Sequence, residues 1–129
     1  MTIPFRASER SSLGVEWELQ LVDRETRQLR SGIQPILEAL TPGGGEHPKA
    51  KPELLQSTVE VITGICSTAD EAMADLARTI DDVAAEADRL GLGLMCAGTH
   101  PLTEWSSQEL SPKERYYDCL LYTSPSPRD

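Results

Sequence analysis

The sequence predicts an α+β fold in which helices back one face of a sheet and leave the other face free. Three stretches predict it. From Leu13 to Val22 the odd positions Leu13, Val15, Trp17, Leu19 and Leu21 are apolar, and Gly14, Glu16, Glu18 and Gln20 fill the even ones. That is the period of a strand with one buried side. From Glu53 to Thr63 β-branched residues are dense, bounded by Pro52 and Gly64, as befits a second strand. From Thr68 to Gly91 apolar residues recur at helical spacing behind a capping box, Thr68-Ala69-Asp70-Glu71, and ahead of a glycine suited to close the helix.

Each remaining element follows from its local pattern. After the first strand, Asp23-Arg24-Glu25-Thr26-Arg27 is a polar turn that returns the chain through Gln28-Leu29-Arg30 as a short hairpin arm. Ile33, Ile36, Leu37 and Leu40 lie at helical spacing, predicting a short helix over Gln34 to Leu40. Thr41 to Pro48 is a loop whose triple glycine lacks the Gly-Lys-Ser/Thr that a phosphate-binding loop needs, so it is expected to be a connector. In the long helix, Ala69, Ala72, Met73, Leu76, Ile80, Val83, Ala84, Ala87 and Leu90 form the apolar stripe, with Met73 expected as core filler. Its acidic residues, Asp75 among them, are expected to face mostly away from that stripe. Leu92 to Gly98 is an apolar strand that delivers Thr99-His100-Pro101 to a loop, with Trp105 expected to cap an apolar patch nearby. Strand, helix and strand from Glu53 to Gly98 make a crossover. Ser111-Pro112-Lys113-Glu114 repeats the capping-box pattern with Pro at the first helical position, and predicts a helix carrying Arg115, Tyr116 and Tyr117.

The outward faces of the two strands carry the chemistry. Glu16 and Glu18 stand side by side on one, and Gln56, Thr58 and Glu60 line the other. If the strands are neighbours, three carboxylates share a surface. Like charges held together repel, so such a group either spreads into solvent or is neutralised by a cation. Carboxylate oxygens at this spacing suit Mg²⁺, a hard ion. Glu53 lies an odd number of residues from Glu60, so a regular strand would send it to the other face, and it joins only through a bulge or at the strand's entry.

Composition narrows the class. Twelve basic against 21 acidic residues give a net charge of −9, which argues against nucleic acid and anionic membranes as partners. It does not argue against ATP, because a bound metal inverts the local field. No apolar run approaches the roughly 20 residues that span a bilayer, and Met1 to Arg6 lacks the apolar core of a signal peptide. A cytoplasmic location is expected. Cys66, Cys96 and Cys119 show no zinc or disulfide spacing. From Leu120 to Asp129 the helical pattern gives way to a Ser/Pro run. It resembles translated sequencing-adapter read-through, so residues 1–118 are expected to be the domain and 119–129 a foreign tail.

Together, Leu13-Gly14-Val15-Glu16-Trp17-Glu18-Leu19-Gln20-Leu21-Val22, Glu53-Leu54-Leu55-Gln56-Ser57-Thr58-Val59-Glu60-Val61-Ile62-Thr63 and Ala97-Gly98-Thr99-His100-Pro101 resemble the amino-terminal part of the glutamate–cysteine ligase type 2 group. These are carboxylate–amine ligases related to glutamine synthetase. The resemblance implies a mostly antiparallel open sheet, part of a glutamine synthetase-like catalytic domain, and an ATP-dependent enzyme whose glutamates hold Mg²⁺. By that likeness Glu16 and Glu18 are the first pair of metal ligands, Glu60 a ligand on the second strand and Glu53 an acidic position ahead of it. His100 would line the substrate pocket, and Arg115 and Tyr116 would border it. No residue is implied as nucleophile or general base. The substrates implied are ATP and amino acids, and the product γ-glutamylcysteine. A non-catalytic acidic module that binds a divalent cation or a protein partner is the alternative.

Overall fold

In the computed structural model, residues 11–123 are described. The order of elements is β1 (Glu16–Asp23), α1 (Ile33–Leu40), β2 (Ala50–Pro52), β3 (Thr58–Ile62), α2 (Ala69–Arg89), β4 (Leu92–Met95), a 3-10 turn (Trp105–Ser107) and α3 (Glu114–Thr123). The strands form one sheet in the order β2-β3-β1-β4, and every adjacent pair is antiparallel. The α+β fold with an antiparallel open sheet is therefore as the sequence implies. Among the described residues no helix is long and apolar enough to cross a membrane. The junction expected at Asp118–Cys119 falls within α3, and residues 124–129 of the expected tail lie outside the described residues.

Alternation decides which side of the sheet is covered. Leu19 and Leu21 of β1 and Val59 and Val61 of β3 point to one face, where they meet Ile33 and Ile36 of α1 and Leu76, Val83 and Ala87 of α2. Close packing fixes some small residues too. Gly32, which precedes α1, leaves no room for a side chain, since a Cβ there would stand 2.4 Å from Leu92 Cδ1. The α2 termini behave as their sequence signals require: Glu71 N donates to Thr68 Oγ1 at 3.1 Å, and Gly91 closes the helix at φ +71°.

Several boundaries differ from expectation, each for a local reason. The β1 ladder begins at Glu16 and not at Leu13, because the Thr63 hydroxyl takes the Val15 N–H at 2.9 Å in place of a main-chain carbonyl. Leu13 pairs beyond that break through a single bridge to Cys66. The second strand starts only at Thr58. Residues 53–57 form a turn, with Thr58 N donating to Leu55 O at 3.0 Å. Ahead of it lies β2, a three-residue edge strand ending at Pro52, too short to show any alternation. Ser111 does not cap α3. Its hydroxyl donates to the Glu53 carbonyl, and the helix starts at Glu114.

Three side chains also sit elsewhere than the periodicity suggests. Met73 is 65% exposed and is not core filler. Trp105 is 83% exposed and covers no apolar patch. Asp75 is buried: its carboxylate pairs with Lys49 and Arg78 and accepts from Gly64 N at 2.9 Å. Those partners hold its carboxyl at about 2, the Lys49 ammonium contributing most.

Candidate metal centre

The open face of the sheet is built by register. Glu18 on β1 stands directly opposite Glu60 on β3, and Glu16 stands opposite Ile62 one step along. Val59 and Val61 turn inward, so Glu60 must turn outward. Glu53 arrives by another route. The chain leaves β2 at Pro52, and residues 109–111 pin the turn that follows: Ser111 N donates to Leu54 O and Gln56 N to Glu109 O, both at 2.8 Å. The Gln56 amide adds a bond to Leu110 O at 2.9 Å. Pinned there, Glu53 needs neither a bulge nor a place on β3. One carboxylate oxygen each from Glu18, Glu53 and Glu60 then lies within 4.8 Å of the other two. Glu16 stays outside this triad but faces the same surface.

The electrostatics agree with the geometry. Partial burial raises the Glu60 carboxyl above its ordinary value, and the charges of Glu16, Glu53 and Glu18 raise it further, while Lys113 opposes them. The cluster thus carries more negative charge than its own surroundings neutralise. Three hard oxygen donors within a few ångströms are the donor set Mg²⁺ takes, so the residues present fit the ion that the family resemblance implies. Two cations rim the site on the β2 side. Lys51 lies opposite Glu60 in register and donates to Glu46 at 3.0 Å, and Lys113 sits at the entrance to α3. Neither was singled out from the sequence, because scattered lysines carry no signal until β2 and α3 are brought together.

A cleft of about 220 Å³ opens beside the carboxylates. Glu18, Gln20, Glu53 and Thr58 supply its polar wall, and Leu55 and Ala97 are among its apolar ones. Gln20 is 91% buried (9% exposed), yet its Oε1 has no hydrogen-bond partner.

The other expected site residues occupy different surroundings. His100 is buried, and its ring is fully engaged by main chain. Nδ1 accepts from Leu102 N at 3.2 Å and Thr103 N at 2.9 Å, and Nε2 lies 2.9 Å from Arg27 O. His47 closes its own loop in the same way, with Nδ1 accepting from Lys49 N and Ala50 N. Both histidines precede a proline, so His-Pro here marks a turn that the imidazole plugs. Tyr116 is buried and donates its hydroxyl to Pro52 O at 3.3 Å, which bolts α3 to the end of β2. Arg115 is exposed, lies 4.9 Å over the Tyr116 ring and feels the charge of Glu53. None of the three lines the cleft.

Comparison with known proteins agrees with the arrangement. Residues 12–123 match the family model described as glutamate-cysteine ligase family 2. A Thermobifida fusca protein named "Putative glutamate--cysteine ligase 2" is 48% identical over 122 residues, covering 93% of this chain and 31% of that protein. A Frankia alni protein named "Putative glutamate--cysteine ligase 2-1" is 51% identical over 118 residues, covering 90% of this chain and 31% of that protein. The chain spans about a third of the length of the curated relatives it matches. With this match over most of its length, the chain belongs to glutamate–cysteine ligase family 2.

Proposed function

We propose that this chain carries the metal-binding face of an ATP- and Mg²⁺-dependent carboxylate–amine ligase that joins glutamate to cysteine. The single observation that carries the reading is the meeting of Glu18, Glu53 and Glu60 from three separate segments. In the reaction, the γ-phosphoryl of ATP passes to a carboxylate of glutamate, giving an acyl phosphate. The amine of the second amino acid then forms the C–N bond, and phosphate leaves with the electron pair of the broken C–O bond. Bound Mg²⁺ would neutralise the phosphate oxygens and bring the two anions together. Phosphoryl transfer asks little covalent chemistry of the protein. Glu18, Glu53 and Glu60, with Glu16 beside them, therefore act as ligands and positioners, and none serves as nucleophile or base.

His100, Arg115 and Tyr116 support the site in this reading by fixing the segments around it. Tyr116 and Ser111 set the turn that carries Glu53, and Arg115 faces the nucleotide or amino-acid carboxylates near the rim. The complete activity belongs to a longer protein, of which this chain corresponds to roughly a third in its relatives. The protein works in the cytoplasm on small molecules, ATP and amino acids.

Calorimetry tests the reading. Mg²⁺ binds the chain more tightly in the presence of ATP, and Glu18→Gln and Glu60→Gln each weaken it by about tenfold or more, the loss of one charged ligand. Mg²⁺ binding that ignores both ATP and these substitutions would leave an acidic module with no part in phosphoryl transfer. In the full-length protein the same substitutions abolish glutamate- and cysteine-dependent phosphate release.

A further inference from the structure

We infer that Glu46 is a positioning residue for the metal centre: it holds the Lys51 ammonium away from Glu60, so that the carboxylates stay free for a divalent cation. The inference rests on the reading of Glu18, Glu53 and Glu60 as metal ligands and adds a residue outside them.

The argument starts from a pairing that the register offers and the side chains decline. Lys51 of β2 stands directly opposite Glu60 of β3. Residues opposed in this way on an antiparallel pair share a face, and a lysine and a glutamate so placed attract each other. The open face carries an excess of negative charge, so a lysine there is an internal substitute for a metal ion. Yet the Lys51 ammonium donates to Glu46 Oε2, at 3.0 Å. Among the cations, Lys113 relieves the charge around Glu60 most, and not the lysine across the ladder.

Local structure explains how Glu46 comes to hold it. Gly43, Gly44 and Gly45 take φ of +114°, +84° and +102°, values that residues with a side chain rarely adopt. Beyond Glu46, the His47 ring accepts from Lys49 N and Ala50 N and fixes the chain's entry into β2. Glu46 is thus set between a turn that glycine makes and one that an imidazole plugs. The triple glycine, which lacks a phosphate-binding signature, serves instead to aim a carboxylate. Lys51 holds the Glu46 carboxyl below its ordinary value, and Lys113 and Arg115 add to the effect. The Glu46 side chain is 85% exposed, and an exposed ion pair contributes little to stability. Its consequence lies in where it leaves the ammonium, at the rim and off the triad.

The test uses the full chain and MgCl₂. Calorimetry is expected to show that Glu46→Gln weakens Mg²⁺ binding about threefold, the worth of a partly exposed ion pair that the metal must now displace. Glu46→Asp, which keeps the charge, restores the affinity. Lys51→Met changes it little in the parent but recovers the loss in the Glu46→Gln background. That coupling separates a held ammonium from the mere removal of a negative charge. Without Mg²⁺, the carboxyl ¹³C signal of Glu60 shifts in Glu46→Gln at neutral pH, and Lys51→Met cancels the shift. Equal effects of Glu46→Gln with and without Lys51 overturn the inference and leave the ligase reading standing, as does a Glu60 signal that ignores Glu46. A chain that takes up no Mg²⁺ defeats the ligase reading, and the metal-free spectra then decide alone whether Glu46 restrains Lys51.

Discussion

The two halves of β1 form one strand and one alternation, yet they meet different fates. Leu21, in the second half, is wholly buried, while Trp17, four residues earlier on the same face, is 39% exposed. Neighbours make the difference. From Gln20 to Asp23 the strand pairs with β4, and its other edge is held beyond Gln20 by Ser57 and by residues 28–30, but from Glu16 to Leu19 it has β3 alone. The core begins at Leu19 and runs into the second half. On one face of the first half, Val15 and Trp17 line an apolar groove of about 500 Å³ with Met73 of α2, and the other face carries Glu16 and Glu18. Stability is concentrated in one half of the strand and chemistry in the other.

This contrast can be broken most sharply by cutting the closed half. Leu21→Ala is expected to cost about 2–5 kcal/mol, the price of a cavity in a packed core. Met73→Ala, which lines the open groove, stays within about 0.5 kcal/mol. Urea denaturation of both variants measures the pair, and equal losses would erase the distinction.

Asp75 comes next, because it ties α2 to the segment after β3. Its carboxyl is held at about 2 against an ordinary 3.8. A lowered carboxyl contributes stability that is present above the unfolded value and lost as pH falls through the folded one. The parent chain should therefore lose this contribution between roughly pH 4 and pH 2. Asp75→Asn lowers the Tm at neutral pH, and the melting curves of the two chains converge in acid.

The smallest effect belongs to the open face and has the opposite sign. The Glu60 carboxyl is raised above its ordinary 4.5 by burial and by its acidic neighbours. Its contribution to stability is complete below that value and is lost as pH rises through the folded one. Without divalent ions, Glu60→Gln should raise the Tm at neutral pH and leave it unchanged in strong acid. Addition of Mg²⁺ closes the gap by stabilising the parent, since only an intact triad gains from the ion. Thermal melts with and without Mg²⁺ read both.

Much of this was legible in the residues, and the misses share a cause. Alternation placed Glu16, Glu18 and Glu60 on one face because strands have a period of two whatever surrounds them. The capping box found the start of α2 for the same reason: the signal is local. Glu53 was legible only as an anomaly of spacing. Its true position depends on residues 109–111 gripping its turn, a contact across more than 50 residues. Asp75 looked like an ordinary surface acid because helical periodicity cannot see Lys49 waiting on another segment. Ser111 carried a capping signature, but a distant carbonyl outbid the nearby helix for its hydroxyl. In each case a long-range partner overrode a local rule.

The pairing of Glu18 with Glu60 has one more consequence. Whatever inserts or deletes a single residue within β3 turns its valines to the solvent and its glutamate into the interior at the same stroke. The active surface therefore cannot drift gradually while the fold survives; an indel there is lethal to both. Substitutions can erode the donor set one member at a time, but shifts of frame along the strand are closed to this lineage.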